Sequence, residues 1–375
     1  MMKRTLSSLL IIILLLAGVI PTATIPLYSV PFAFNAENLD SDVRTIRVAL
    51  YDCGYNNRLF YDIFNYTWNL ENRSYSFEVT VVTRDDVLRE GNISLTPENF
   101  DLLLIGASAS AYLLDGINPE WKKNVQQFVA DGGGYVGICG GANAGSLGFE
   151  HPTTIFQKRV NRGVLGLANV YIHDYLPGEW QYLLKFGFDA FSWGNDNGTR
   201  PYYISVNTSV EKHDECAIFS PYNMMYRLIT YAGGAGMYDA DSTDPMHGPL
   251  IPLLIYNEEP MYTKPLHYWA PTMNGWKIVG NVTTHLYQNY AGIATTYGES
   301  GRVVLYGPHP EYRVVANGSV KEYLGHGIPN FIGPVKRYVF NYFGELLPHD
   351  YNWWIVRRSA AWVAHIPDED MPPME

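Results

Sequence analysis

Three cysteines, Cys53, Cys139 and Cys216, are all that this chain of 375 residues contains. So small a number excludes a multi-bridge disulfide framework and allows at most one internal bridge; Cys53 with Cys216 is the pairing that leaves Cys139 free. Positive charge is scarce too, with 26 Lys and Arg against 37 Asp and Glu and a formal net charge of −11. No run of Lys or Arg exceeds two. Such a surface repels phosphate backbones and anionic lipid, and nucleic-acid partners are set aside. Long apolar runs are missing but for one, LLIIILLLAGVI at residues 9–20, preceded by Lys3 and Arg4 and followed by Pro-Thr-Ala-Thr. It falls short of the roughly 20 residues a helix needs to cross about 30 Å of hydrocarbon. Its basic, apolar, small-residue order is that of a signal peptide. Residues 1–26 are therefore expected to be an export leader or, if residues 5–8 extend the span, an uncleaved membrane tether. No cysteine follows the run, which argues against a lipoprotein.

Metal and nucleotide motifs are missing as well. There is no Walker sequence and no H-E-x-x-H. Gly132-x-Gly134-x-x-Gly137 has the spacing of a dinucleotide fingerprint but precedes its strand, where its glycines cannot cradle a pyrophosphate. His213-Asp214-Glu215-Cys216 groups four ligand types, yet adjacent residues seldom converge on one ion, so the segment reads as a solvated turn. His151-Pro152 and His173-Asp174 lack spaced partners. No metal and no organic cofactor is expected.

What is present is a composition 47% hydrophobic and 14% aromatic, ample for a large core. Seven Asn-x-Ser/Thr sequons, at Asn65, Asn72, Asn92, Asn197, Asn207, Asn281 and Asn317, agree with export and mark surface loops if the host glycosylates. After a linker over residues 27–44, β-branched and apolar runs at residues 45–52, 77–83, 101–106 and 134–139 read as strands. Between the last two, PEWKKNVQQFVA at residues 119–130 has Pro at a first-turn position and apolar residues at Trp121, Val125, Phe128 and Val129, the pattern of a crossover helix. Buried strands joined by helices predict a mostly parallel sheet covered on both faces. From about residue 150 to 296 the chain turns to tyrosines, glycines and short alternating stretches, read as a β-rich insertion in which Tyr171, Tyr175, Tyr202 and Tyr203 are core residues. Residues 292–298 and 302–307 read as a hairpin. A closing helix is expected over residues 331–343 and a C-terminal extension over 349–375, its Trp-rich part packed on the body and residues 367–375 loose.

One turn stands out: Gly137-Ile138-Cys139-Gly140-Gly141, after a buried strand and before a small-residue segment at 142–147 suited to a helix. A nucleophile on a strand-to-helix turn has strained dihedrals, and the residues two before and two after it must be small, as Gly137 and Gly141 are. Cys139 would sit at a helix N-terminus, where free N–H groups and the helix dipole favour negative charge on sulfur. The Gly140 N–H can serve as one oxyanion donor, and the loop Gly106-Ala107-Ser108, ending on the same sheet edge, can supply another. A thiolate in acyl transfer wants an imidazole and a group to orient it. His309 follows the strand at 302–307 directly, on the edge predicted for Cys139, and Glu311 lies two residues on.

With these residues in view, the chain resembles the class I glutamine amidotransferase-like superfamily, and most closely the biotin–protein ligase N-terminal, amidotransferase-like family and its exported relatives. Three blocks carry the resemblance: ADGGGYVGICGGANAGS at residues 130–146, YAGGAGMY at 231–238 and GPHPEY at 307–312. It implies a flavodoxin-like sheet over residues 45–348, a triad of Cys139 as nucleophile, His309 as base and Glu311 as orienting carboxylate, and a substrate site that takes in Asn143, Gly233 and Gly234. Glutamine-hydrolysing members carry a bulky residue just after the cysteine and Gln four positions after it. Gly140 and Asn143 stand there instead, which argues against glutamine. The resulting expectation is an exported cysteine hydrolase acting on an amide of a small molecule or peptide, with a non-catalytic binding or surface-interaction protein as the alternative.

Overall fold

The computed structural model describes residues 42–374, apart from 54–57, 72, 108, 174–203, 260–266, 273–274, 282–284 and 331–332. The leader, most of the linker, Tyr175, Tyr202, Tyr203 and the sequon Asn197 lie outside the described residues.

Five parallel strands form the centre: β1 (Asp42–Tyr51), β3 (Arg73–Val82), β4 (Leu102–Ile105), β5 (Gly134–Ile138) and β14 (Gly301–Tyr306). Their spatial order β3-β1-β4-β5-β14 is, counting parallel strands along the chain, 2-1-3-4-5, the flavodoxin-like doubly wound arrangement. The apolar runs explain why. In β4 all four residues are buried, with Leu102 and Leu104 in the core on one face of the sheet and Leu103 and Ile105 in the core on the other. A strand with no polar side must be covered twice. On the first face lie α1 (Arg58–Phe64) and the C-terminal helix α6 (Trp353–Val363); on the second lies α3 (Pro119–Ala130). The predicted crossover helix and α3 coincide: Asn118 caps it, accepting from the Glu120 and Trp121 N–H groups, and it buries Trp121, Val125, Phe128 and Val129.

Beyond the parallel centre the sheet becomes antiparallel. β2 (Thr67–Leu70) closes one edge, while β13 (Tyr290–Tyr297), β10 (Ile251–Tyr256), β7 (Ile204–Val210) and β8 (Tyr226–Tyr231) extend the other, with β6 (Val170–Ile172) and β9 (Met237–Asp239) branching from β13. The β-rich insertion thus adds strands to the same sheet, and the predicted hairpin is β13–β14. It also holds a helix that the sequence reading missed, α5 (Ile155–Gly163), set by a Thr154–Gln157 capping box. Two short helices, α2 (Arg84–Val87) and α4 (Gly140–Gly145), and two hairpins, β11–β12 (His267–Thr272 with Gly275–Asn281) and β15–β16 (Val315–Asn330 with Gly333–Leu346), complete the described elements.

Four expectations are corrected. The segment read as a closing helix is strand β16: Pro329 and Pro334 pair across the turn of a hairpin, and the Val, Tyr and Phe between them and Leu346 are strand formers. The described part of the tail, residues 367–374, is docked rather than loose: Asp370 is buried, its carbonyl accepts from Trp68 Nε1 at 2.8 Å and its carboxylate from Tyr75 at 2.5 Å. Cys53 and Cys216 form no disulfide, because Cys53 packs on one face of the sheet and Cys216 is buried in the core of the other. β1 also begins at Asp42, three residues inside the stretch read as linker. The His213–Cys216 group is a tight turn whose members diverge, Asp214 and Glu215 to solvent and Cys216 to the core. Among the described residues no helix is long and apolar enough to cross a membrane.

Candidate active site

Cys139 stands between β5 and α4 with φ 53° and ψ −103°, a conformation rarely tolerated by a side chain other than glycine's. Its glycine frame is what allows it. A Cβ on Gly137 would lie 2.5 Å from the Gly141 carbonyl oxygen, and one on Gly141 would lie 1.9 Å from that of Ile105. The turn is tied on three sides: the Cys139 N–H donates to the Tyr306 carbonyl of β14 at 2.7 Å, the Gly141 N–H to the Gly106 carbonyl at 3.1 Å, and the Tyr135 hydroxyl to the Gly141 carbonyl at 2.7 Å. Cys139 itself is half-buried. The Gly140 N–H, at the first position of α4, donates to no carbonyl among the described residues.

His309 follows β14, which pairs in register with β5 so that Tyr306 faces Ile138. Adjacent parallel strands end on the same edge, and this brings the two remote residues together, close enough for the Cys139 sulfur to act on the imidazole electrostatically. Its Nδ1 lies 2.6 Å from Glu311 Oε1, and both residues are buried, at 2% and 1% exposure. The His309 N–H donates to the Thr230 carbonyl of β8 at 2.7 Å, and the Tyr312 ring stacks on the imidazole at 4.6 Å between centroids. Burial alone lowers the His309 pKa. The charge of Glu311, the Cys139 sulfur and the hydrogen bond to Glu311 outweigh it and push it up to about 10. Glu311 Oε2 is buried with no hydrogen-bond partner among the described residues, so the carboxylate depends on the imidazolium for compensation.

The remaining predicted site residues gather around this pair. Gly106 is held against the elbow through Gly141, and Ala107, half-buried, continues that loop. Asn143, one turn into α4, places Nδ2 3.5 Å from the Tyr112 hydroxyl, while its Oδ1 is buried with no hydrogen-bond partner among the described residues. Gly233, at φ +83°, and Gly234 form the loop after β8; a Cβ on Gly234 would lie 1.8 Å from the Gly307 carbonyl oxygen, so only glycine lets this loop abut the strand end that leads to His309. Sequence reasoning missed Tyr112, which sits on a π-helical turn (Ala111–Asp115), a feature with no simple sequence signature. It also missed Thr230 and Trp353, which touch the His309–Glu311 loop through backbone carbonyls and bear no motif of their own. His173 lies on the neighbouring loop, its N–H donating to the Gly236 carbonyl and its ring tilted on Tyr238. Among the described residues no three metal-ligating side chains converge.

The family model for biotin-protein ligase, N terminal, matches residues 72–326. The chain belongs to that family. Membership of the biotin–protein ligase N-terminal family gives it an amidotransferase-like scaffold, in line with the strand order and the elbow. No curated protein matches the chain. Among solved structures, a protein described as a GMP synthase component from Thermoplasma acidophilum is 12% identical, with 72% of this chain and 85% of that one covered and a TM-score of 0.33. A cytoplasmic protein from Salmonella typhimurium LT2 is 12% identical over 70% and 87% of the two chains at a TM-score of 0.30. A β-galactosidase from Bacillus circulans sp. alkalophilus is 9% identical over 80% and 41%, at 0.34. Likenesses this weak say nothing about substrate. The biotin–protein ligase N-terminal match covers Cys139, His309 and Glu311 but ends before α6.

Proposed function

We propose that this member of the family is a cysteine-dependent amidohydrolase, exported from the cell that makes it, acting on the C–N bond of a small-molecule or peptide amide. The observation that carries the reading is the placement of Cys139 on a strained strand-to-helix turn at the end of β5, on the same edge as the His309–Glu311 pair after β14, with 2.6 Å between those two. Half-buried sulfur beside an imidazole held protonated is the arrangement of an activated thiol. The sulfur attacks the amide carbonyl and forms a C–S bond. The oxygen takes the developing negative charge and is met by the Gly140 N–H and the Gly106–Ala107 loop. As the C–N bond breaks, His309 gives its proton to the leaving amine. Water, deprotonated by the now neutral imidazole, cleaves the thioester, releasing the acid and restoring the pair. Asn143 Oδ1, a buried acceptor with no donor among the described residues, suits a substrate that brings an N–H to it. Export is supported by the N-terminal apolar run and by the exposure of the sequon residues Asn65, Asn92 and Asn317.

Two measurements test the reading. Site-resolved alkylation by iodoacetamide should modify Cys139 well below pH 8 in the wild type and lose that advantage, by about tenfold or more, in His309→Ala. A screen of amides and peptides should then yield an activity absent from Cys139→Ala. A Cys139 as slow as a free cysteine at every pH would leave only the alternative of a binding protein built on the same scaffold.

A further inference from the structure

The C-terminal helix α6 lies outside the segment matched by the family, yet it reaches the site. Trp353, its first residue and buried, donates its indole N–H to the Glu311 carbonyl at 3.1 Å. The same helix packs on β5 and β14, the two strands that present Cys139 and His309, and its Ser359 hydroxyl bonds the Tyr306 hydroxyl at 2.8 Å. Just before it, Asn352 is locked to β8, accepting from Arg227 Nε at 2.7 Å and donating to the Leu228 carbonyl at 2.9 Å. β8 in turn holds the other side of the catalytic loop: the Thr230 carbonyl takes the His309 N–H and its hydroxyl donates to the Arg313 carbonyl at 2.8 Å.

The loop 309–313 is therefore clamped between β8 and α6, and we infer that Trp353 is a positioning residue for the triad, setting the Glu311 carboxylate against His309 by fixing the Glu311 peptide. The inference rests on the triad reading above. Glu311 lies only two residues from His309 and must turn its side chain back toward it. Its carbonyl, held by Trp353, fixes the peptide plane after it, and together with the His309 N–H held by Thr230 this restricts the torsions that aim its side chain. Without the indole N–H the carbonyl is left buried and unpaired, and the loop relaxes to satisfy it. The carboxylate then swings off Nδ1 and the imidazole loses the charge that keeps it protonated beside the sulfur.

The test is the pH profile of Cys139 alkylation, read by peptide mass spectrometry, in Trp353→Phe, which keeps an aromatic ring and removes the N–H. Between pH 6 and 7 the rate should fall about tenfold from wild type, while near pH 10 the two should agree. Trp353→His, which retains a ring N–H, should recover part of the loss. Equal profiles for wild type and Trp353→Phe, with Glu311→Gln shifted, would overturn the positioning role and leave the triad standing. If His309→Ala and Glu311→Gln also leave the profile unmoved, the triad itself fails. Should Trp353→Phe not fold, the wild-type indole N–H decides by NMR: it should be protected from exchange and should shift when Cys139 is alkylated, and an exposed or unresponsive signal refutes the role.

Discussion

At the scale of single residues, the site is a problem in charge placement. Glu311 is buried with one oxygen bonded only to His309 and the other to nothing among the described residues, so the pair is held most strongly while the imidazole is protonated. This has a consequence for stability. The His309 pKa is raised from 6.5 in the unfolded chain to about 10 in the fold, so its contribution to stability is complete below pH 6.5 and is lost as pH rises toward 10. Denaturant unfolding at a series of pH values should show wild type losing stability relative to His309→Gln across that window. A difference that does not change with pH would place the proton elsewhere. The pair was foreseeable as residue types only in combination, since His-x-Glu after a predicted strand reads as a solvated loop by itself and points to a triad only beside the Cys139 elbow. Its burial was not, because burial comes from the stacked Tyr312 and from elements remote in sequence.

Among elements, the strand-to-helix elbow decides most. Its geometry could be read from glycine spacing alone, because the two residues flanking Cys139 at a distance of two must lack a side chain, and only Gly137 and Gly141 let the backbone close. Substitutions at the elbow should move stability in opposite directions. Cys139→Gly relieves the positive φ and should gain about 1 kcal/mol while abolishing thiol reactivity. Gly141→Ala drives a Cβ into the Ile105 carbonyl and should cost about 3 kcal/mol. Urea unfolding of both variants checks the signs. By contrast, the helix expected over residues 331–343 is strand β16: its Val, Tyr and Phe favour a strand, but no alternation with polar residues marks it as one, and the pairing partner that selects the strand, β15, is a tertiary fact.

For the molecule as a whole, the C-terminal segment closes the structure. α6 is buried along its full length, and Arg358 on it is buried with its guanidinium bonded to the carbonyls of Ala217, Ile218 and Pro372. Asp370 accepts from Trp68 and Tyr75 and pairs with Arg73. Removal of residues 367–375 leaves the Trp68 and Tyr75 donors and part of the Arg358 guanidinium buried without partners. At about 1–3 kcal/mol for each, the truncated chain should lose at least about 3 kcal/mol. Thermal unfolding measures it; an unchanged midpoint would show the tail to be dispensable.

The sequence by itself determined the parallel core, the crossover helix, the elbow and the residue types of the candidate site, because local periodicity and glycine sterics act over a few residues. Only the tertiary structure decided that the antiparallel strands extend the same sheet, that Cys53 and Cys216 lie on opposite faces of it, and that Tyr112, Thr230 and Trp353 attend the site. Those outcomes depend on which distant backbone groups and surfaces meet, and a carbonyl or a ring carries no mark in the sequence of the partner it will find.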